Sequence, residues 1–196
     1  MSSAWCPPRF RFAAVAVVLS VPLFAACAPA SGDPIPVSAA AADVAESYND
    51  ADVRFSQEMI PHHQQTIQMA ELVATRTSNE YVLTVSEHLI DDERTEIRQM
   101  SAWLTAWKKP IPEENAKSTH SMPGMLSQQQ MATMARQSGD EFDRTWLTLL
   151  STHLGHGITM VEAVQGKGQH KPTLDLAGKL INGQRQQIAE IATHLD

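Results

Sequence analysis

The chain has 196 residues, 43% of them hydrophobic and 19% charged, a balance that excludes a disordered chain and a multi-span membrane protein and suits one modest domain. Lys and Arg total 15 against 22 Asp and Glu, for a formal charge of −7, which argues against sequence-blind binding to phosphate backbones; no nucleic-acid partner is expected. The two cysteines, Cys6 and Cys27, both lie near the N-terminus, leaving neither a disulfide framework nor a thiolate metal site.

Arg9 and Arg11 precede an apolar run from Phe12 to Ala26 that is short for a bilayer span and interrupted by Pro22, the layout of a secretory signal peptide over residues 1–27. The run closes Leu23-Phe24-Ala25-Ala26-Cys27 and resembles a bacterial lipoprotein signal with Cys27 as the lipidated residue, although Phe24 stands where that pattern prefers an aliphatic side chain. The expectation is an extracytoplasmic protein anchored to the cell membrane by its N-terminal lipid, with a secreted form as the alternative. Residues 28–47, rich in Ala, Pro and Ser, read as a flexible tether, and 48–196 as the working domain.

Shifting the chain by 91 positions aligns 52–105 with 143–196 without a gap, pairing His62 with His153, Met69 with Met160, Glu71 with Glu162, Ile90 with Ile181 and Arg94 with Arg185. In the first half of each unit Phe55, Met59, His62, Thr66, Met69 and Val73, and likewise Trp146, Leu150, His153, Gly157, Met160 and Val164, recur at helical spacings of three and four. In the second half Leu83, Ile90, Ile97 and Leu104, matched by Leu174, Ile181, Ile188 and Leu195, recur every seven. Each unit is therefore helix, turn, helix, with turns near Thr77–Glu80 and Gly166–Pro172. One hairpin cannot bury its own seam, so the two duplicated αα-hairpins are expected to pack as an all-α four-helix bundle.

The connector 108–139 carries Pro110, Pro112 and Pro123, then Ser127-Gln128-Gln129-Gln130, a capping box that should start a short helix. His120, Met122 and Met125 within it form a candidate secondary metal site. The competing reading makes Met122, Met125, Met131 and Met134 core plugs. Trp103 and Trp107, one turn apart, should close one end of the core, whereas His88, His170 and His194 read as surface or flank positions.

Positions equidistant from a hairpin turn share a level, which sets His62 opposite Glu93 and His153 opposite Gln184. About a pseudo-twofold axis these four converge inside the bundle, with Met59, Met69, Met160 and His156 within a turn or two. Two explanations fit such a layer. One is a metal site built from inward His and carboxylate groups, His156 lying one turn from His153. The other is a satisfied hydrogen-bond network, the imidazole donating to Glu93 and accepting from Gln184. His63 points about 100° away from His62; Leu154 is its repeat partner, so it is expected to pack in the core. With no cysteine, Met and His favour copper, while His with Glu would also serve Zn, Fe or Mn. Glu93 and Glu96 align with the neutral Gln184 and Gln187, and no Glu-x-x-His motif occurs, which disfavours a ferritin-type oxidase. No Gly-rich phosphate loop, nucleophile elbow or His-Glu-x-x-His helix is present either, so the chain is not expected to be an enzyme.

The run from Phe55 through Met59, Pro61, His62, His63, Ile67 and Met69 to Ala70, with Glu96-Ile97 and Met100, Trp103-Leu104, Met122-Pro123-Gly124-Met125-Leu126-Ser127 and Phe142-Asp143, resembles the bacterial family called domain of unknown function 305 across essentially residues 50–196. The resemblance implies a ferritin-like four-helix bundle, export, and in some members copper binding or copper resistance. It marks His62, His63 and Met69 as the matches to the family motif. The second unit departs from it, with His153-Leu154-Gly155-His156 in place of a His-His pair, and Glu93 stands where the pattern usually has Gln. The reading that results is an anchored copper protein for buffering, delivery or resistance. Its candidate ligands are His62, His63, Met59, Met69, Glu93, His153, His156 and Met160. An envelope protein that binds a partner and no metal, and a ferritin-like oxidoreductase, are the alternatives, and a homodimer is left open.

Overall fold

A computed structural model of the chain describes residues 47–113 and 124–195; the leader, Cys27, nearly all of the tether, His120 and Met122 lie outside the described residues. Five α-helices follow in order: α1 (Asp50–Glu71), α2 (Glu80–Ala106), α3 (Gln128–Met134), α4 (Gly139–Gln165) and α5 (Lys171–Leu195), with a 3₁₀ turn at Val73–Thr75 between α1 and α2. Among the described residues there is no strand, and no helix is long and apolar enough to cross a membrane. The expected bundle of two αα-hairpins is the architecture observed. α1 pairs with α2 and α4 with α5, and the hairpins meet chiefly across α1 and α4.

Local chemistry sets the helix ends. Asn49 accepts from the N–H groups of Ala51 and Asp52 at the start of α1, while the Asp52 side chain reaches back to the Asn49 N–H, so orphan donors at this end are satisfied reciprocally. At α2 the Asn79 side chain accepts from the N–H groups of Tyr81 and Val82, and Ser127 with Gln130 forms the expected capping box of α3. The second turn is shorter than its breaker residues suggested: α5 begins at Lys171 and takes Pro172 into its first turn, where a missing N–H costs nothing. Asp52 does a second task from a distance, its buried carboxylate accepting from the N–H groups of Gln169 (3.0 Å) and His170 (3.1 Å) ahead of α5. At the exit of α2, Lys108 has φ 55° while Lys109 N–H returns to Leu104 O at 2.8 Å; for a non-glycine residue this left-handed stop costs about 1–2 kcal/mol.

The core is divided in two. Phe55, Met59, Met100, Leu104, Val161 and Ile181 pack in one apolar half; Met69, Val82, Phe142, Trp146, Leu150 and Ile191 pack in the other. Between them lies a buried polar layer containing His62, His63, Thr66, Glu93, His153 and Gln184. Trp146, wholly buried, anchors α4 to α1 by donating to Met69 O at 3.0 Å. Trp103 and Trp107 close one end of the bundle edge-on to His170. His170 is thus a correction to its reading as a flank residue: it is 5% exposed, its Nδ1 accepts from Thr173 N–H, and it holds the first turn of α5.

Candidate metal centre

His62 on α1 and His153 on α4 occupy the helix faces that join the hairpins. Their rings stack with centroids 3.7 Å apart and planes 12° from parallel. Each Nε2 reaches the other residue's backbone carbonyl at 3.2 Å. The carbonyls can only accept, so a hydrogen bond at either contact needs an N–H on that Nε2. His62 therefore faces His153, not Glu93, and the expected donation from imidazole to Glu93 is replaced by donation to main chain.

The other ring nitrogens differ. His62 Nδ1 is buried with no hydrogen-bond partner, whereas His153 Nδ1 lies 3.0 Å from Gly124 O. Burial, followed by the neighbouring His153 and His63 rings, holds His62 well below the usual histidine range; burial likewise lowers His153 despite the carbonyls around it. A neutral His153 has one N–H for two carbonyls. Each ring consequently keeps a lone pair that no hydrogen bond uses: Nδ1 of His62 and one of the two nitrogens of His153. Neutral imidazole with a free lone pair is the form that ligates a transition metal.

His63 turns the other way and is also a correction: it is not a simple packing residue. Fully buried, it sets Nε2 2.8 Å from Glu96 Oε2 and Nδ1 3.8 Å from Glu93 Oε1. Burial works against its charge, but the two carboxylates outweigh it and raise its pKa. Burial and the adjacent Glu96 push the Glu93 carboxyl up to about 8, against the pull of His63. Glu93 and Gln184 line a cleft of about 250 Å³ between α2 and α5, with Glu96 and Gln187 beside them. Glu93 Oε2 and Gln184 Oε1 are buried and unpartnered.

The remaining candidates fall in different places. Met59 and Met69 are fully buried in opposite apolar halves, about one turn before and two turns after His62. His156 and Met160 are half-buried on α4. The connector arrives beside them, because Gln65 clamps the Leu126 backbone through both its N–H (2.6 Å) and its O (3.0 Å). That brings Gly124 so close to His156 that a Cβ on the glycine would stand 2.2 Å from the His156 Cβ. Met125, half-buried, follows directly; of the proposed secondary set it alone is among the described residues. Among those residues no group of three or more His, Cys, Asp or Glu side chains is spaced to hold a metal ion.

Sequence reasoning gave Gly157 and Gly124 no part in the site. A Cβ at Gly157 would stand 2.9 Å from Gln184 Oε1 and 3.1 Å from His62 Cε1, so glycine lets α5 and His62 close on the layer. A glycine in mid-helix was the available signal.

A family model described as domain of unknown function (DUF305) matches residues 52–195. The chain belongs to the DUF305 family. Among solved structures it is similar to a DUF305 protein from Streptomyces coelicolor described as secreted, with TM-score 0.68 and 25% identity over 74% of this chain and 91% of that one. A DUF305 fragment from Deinococcus radiodurans matches with TM-score 0.67 and 24% identity over 75% and 96%. CopM in its Cu(I)-bound form matches with TM-score 0.62 and 22% identity over 72% and 93%. No curated protein matches the chain.

Proposed function

We propose that this DUF305 protein is exported, anchored through a lipid on Cys27, and binds a transition metal, copper first, for buffering, delivery or resistance and without catalysis. The observation that carries the reading is the His62–His153 pair, two imidazoles kept neutral by burial at the hairpin interface, each with an unused lone pair. The donor chemistry fits copper, with His156, Met125 and Met160 as further soft donors along α4 and the connector. One ion held by both rings requires them to unstack and to release a carbonyl contact. His63 and Glu93, engaged with one another, are secondary candidates. The likeness to CopM, which has been solved with Cu(I), Cu(II) and Ag bound, adds support at the level of the fold; the likeness to a protein described as secreted supports export.

A second reading has its own observation: the reciprocal Nε2-to-carbonyl contacts would fix the register of the hairpins with no metal, as buried polar residues do in bundles. Competition titrations with Cu(I), Cu(II) and Zn(II) separate the two. Copper binding lost in a His62→Ala, His153→Ala variant whose helical circular dichroism is retained supports the metal site. Wild-type protein that binds no copper above chelator background, or a folded variant that binds as well as wild type, leaves the register reading.

A further inference from the structure

The two ends of the bundle differ in the chemistry they show to solvent. Among the described residues the exposed large hydrophobic side chains are Tyr48, 38% exposed, and Ile111, 44% exposed. Both belong to the end where the chain enters α1 and leaves α2. Tyr48 stacks on Trp107 with centroids 4.6 Å apart, and Trp107 continues into Trp103 and His170. Four of the six lysines are at this end too: Lys108, Lys109, Lys167 and Lys171. The Asn49 side chain donates to Lys167 O at 2.7 Å, which places the α4–α5 turn beside Tyr48. Lys171 is paired with Asp175, and Asp50 and Glu113 are the further exposed acids among the described residues here; the Asp52 carboxylate is buried on the backbone N–H groups of Asn49, Gln169 and His170. Lys108 moreover occupies a left-handed position that glycine would take without penalty, so a cation stands where the backbone alone favours none.

Amphipathic Tyr and Trp rings bordered by lysines, on a chain of net charge −7, match the interface of an anionic membrane: aromatic rings settle at headgroup depth and lysines meet the surface potential. This is also the end at which the N-terminal segment joins, about 20 residues after Cys27. We propose that the end carrying Tyr48, Trp107, Lys108, Lys109 and Lys167 is a membrane-docking surface for anionic phospholipid headgroups. The inference rests on the export part of the reading above. Docking would hold the His62–His153 layer at a set height over the membrane.

The test uses the processed chain from residue 27 carrying Cys27→Ser, so that no lipid is attached, in sedimentation with vesicles of phosphatidylcholine alone or mixed with phosphatidylglycerol. Binding is expected only with phosphatidylglycerol, with Trp fluorescence quenched by brominated acyl chains and binding reversed by salt. Lys108→Gln and Lys109→Gln should each weaken partitioning about fivefold, and Trp107→Ala should remove most of the quenching. Lys179→Gln, on the side of α5, should change nothing. No preference for phosphatidylglycerol, or equal binding by the Lys108→Gln, Lys109→Gln variant with its helical content intact, overturns the proposal and points to a protein partner for this end. The mass of Cys27 in the wild-type chain tests the anchor separately: an unmodified Cys27 with vesicle binding intact removes the anchor and keeps the surface, and an acylated Cys27 with no vesicle binding does the reverse.

Discussion

The two hairpins share one backbone plan and differ in what they bury. Glu71–Arg94 in the first, at 3.0 Å, recurs as Glu162–Arg185 in the second, at 2.9 Å, and His62 and His153 take equivalent, mutually facing places. Around that shared frame the first hairpin buries a charged set, His63 with Glu93 and Glu96, where the second has Leu154, Gln184 and Gln187. Duplication thus kept the pieces that fix geometry, while titratable groups stayed on one side. The polar layer therefore has two chemistries: neutral imidazoles on the shared axis and an ion-paired flank on α1 and α2.

Making the hairpins alike is the strongest way to break that comparison. His63→Leu takes the counter-ion from Glu96 and the opposing imidazole from the buried Glu93, and should cost about 3 kcal/mol in urea unfolding, the low end for breaking a buried pair. Adding Glu93→Gln and Glu96→Gln, which copies the second hairpin, should restore most of the loss; a triple variant as unstable as the single one would show that the difference between hairpins is not electrostatic. Next in size is the contrast between equivalent aspartates. Asp52→Ala removes the acceptor for Gln169 and His170 and should cost about 2 kcal/mol. Asp143→Ala, whose Oδ1 is unpartnered, should cost less than half as much, and equal losses would contradict the asymmetry.

Titration sharpens the same contrast. Glu93, raised from 4.5 to about 8, holds more protons folded than unfolded, so its contribution is full below 4.5 and is lost as the pH climbs through 8. His63, raised from 6.5, adds a loss in the same sense above 6.5. His62 and His153, both lowered from 6.5, act oppositely: their contribution is present above 6.5 and is lost as the pH falls below it. Wild type should therefore weaken toward both limbs, and the triple variant should lose only the alkaline decline. Smallest of all are the surface pairs, where Glu71→Gln and Glu162→Gln should each cost under about 1 kcal/mol. Thermal melts giving clearly unequal shifts would show that the hairpins differ outside the layer as well.

Much of the fold was legible because it rests on repetition and caps. The 91-residue offset, the seams through Phe55 and Trp146 and the Ser127 capping box are patterns of residue type, and the helices follow them. Placement of His62, His153, Glu93 and Gln184 in one buried layer followed from equal distances to the turns. Their pairing did not, because a shared level fixes height along a helix but not azimuth. His63, about 100° round from His62, turns to α2 and takes Glu93 and Glu96, leaving His62 to the equivalent ring across the axis. His170 was missed for another reason: its burial comes from Trp103 and Trp107 of a distant helix, which its own neighbours in sequence do not reveal. Gln65, which draws Gly124 onto His156, is one polar residue among several in α1, and nothing local marks it.

His62 Nδ1 and a nitrogen of His153 are the proposed copper donors. Long-range proton–nitrogen correlation spectra of the histidine side chains, recorded while Cu(I) is added, observe those atoms directly. Without metal, neutral rings are expected at both positions, with His62 protonated on Nε2. With metal, His62 Nδ1 and one His153 nitrogen should shift and saturate together, while His88 and His194 stay unmoved. Both ring signals unchanged under saturating Cu(I), or a shift confined to other histidines, would contradict this assignment.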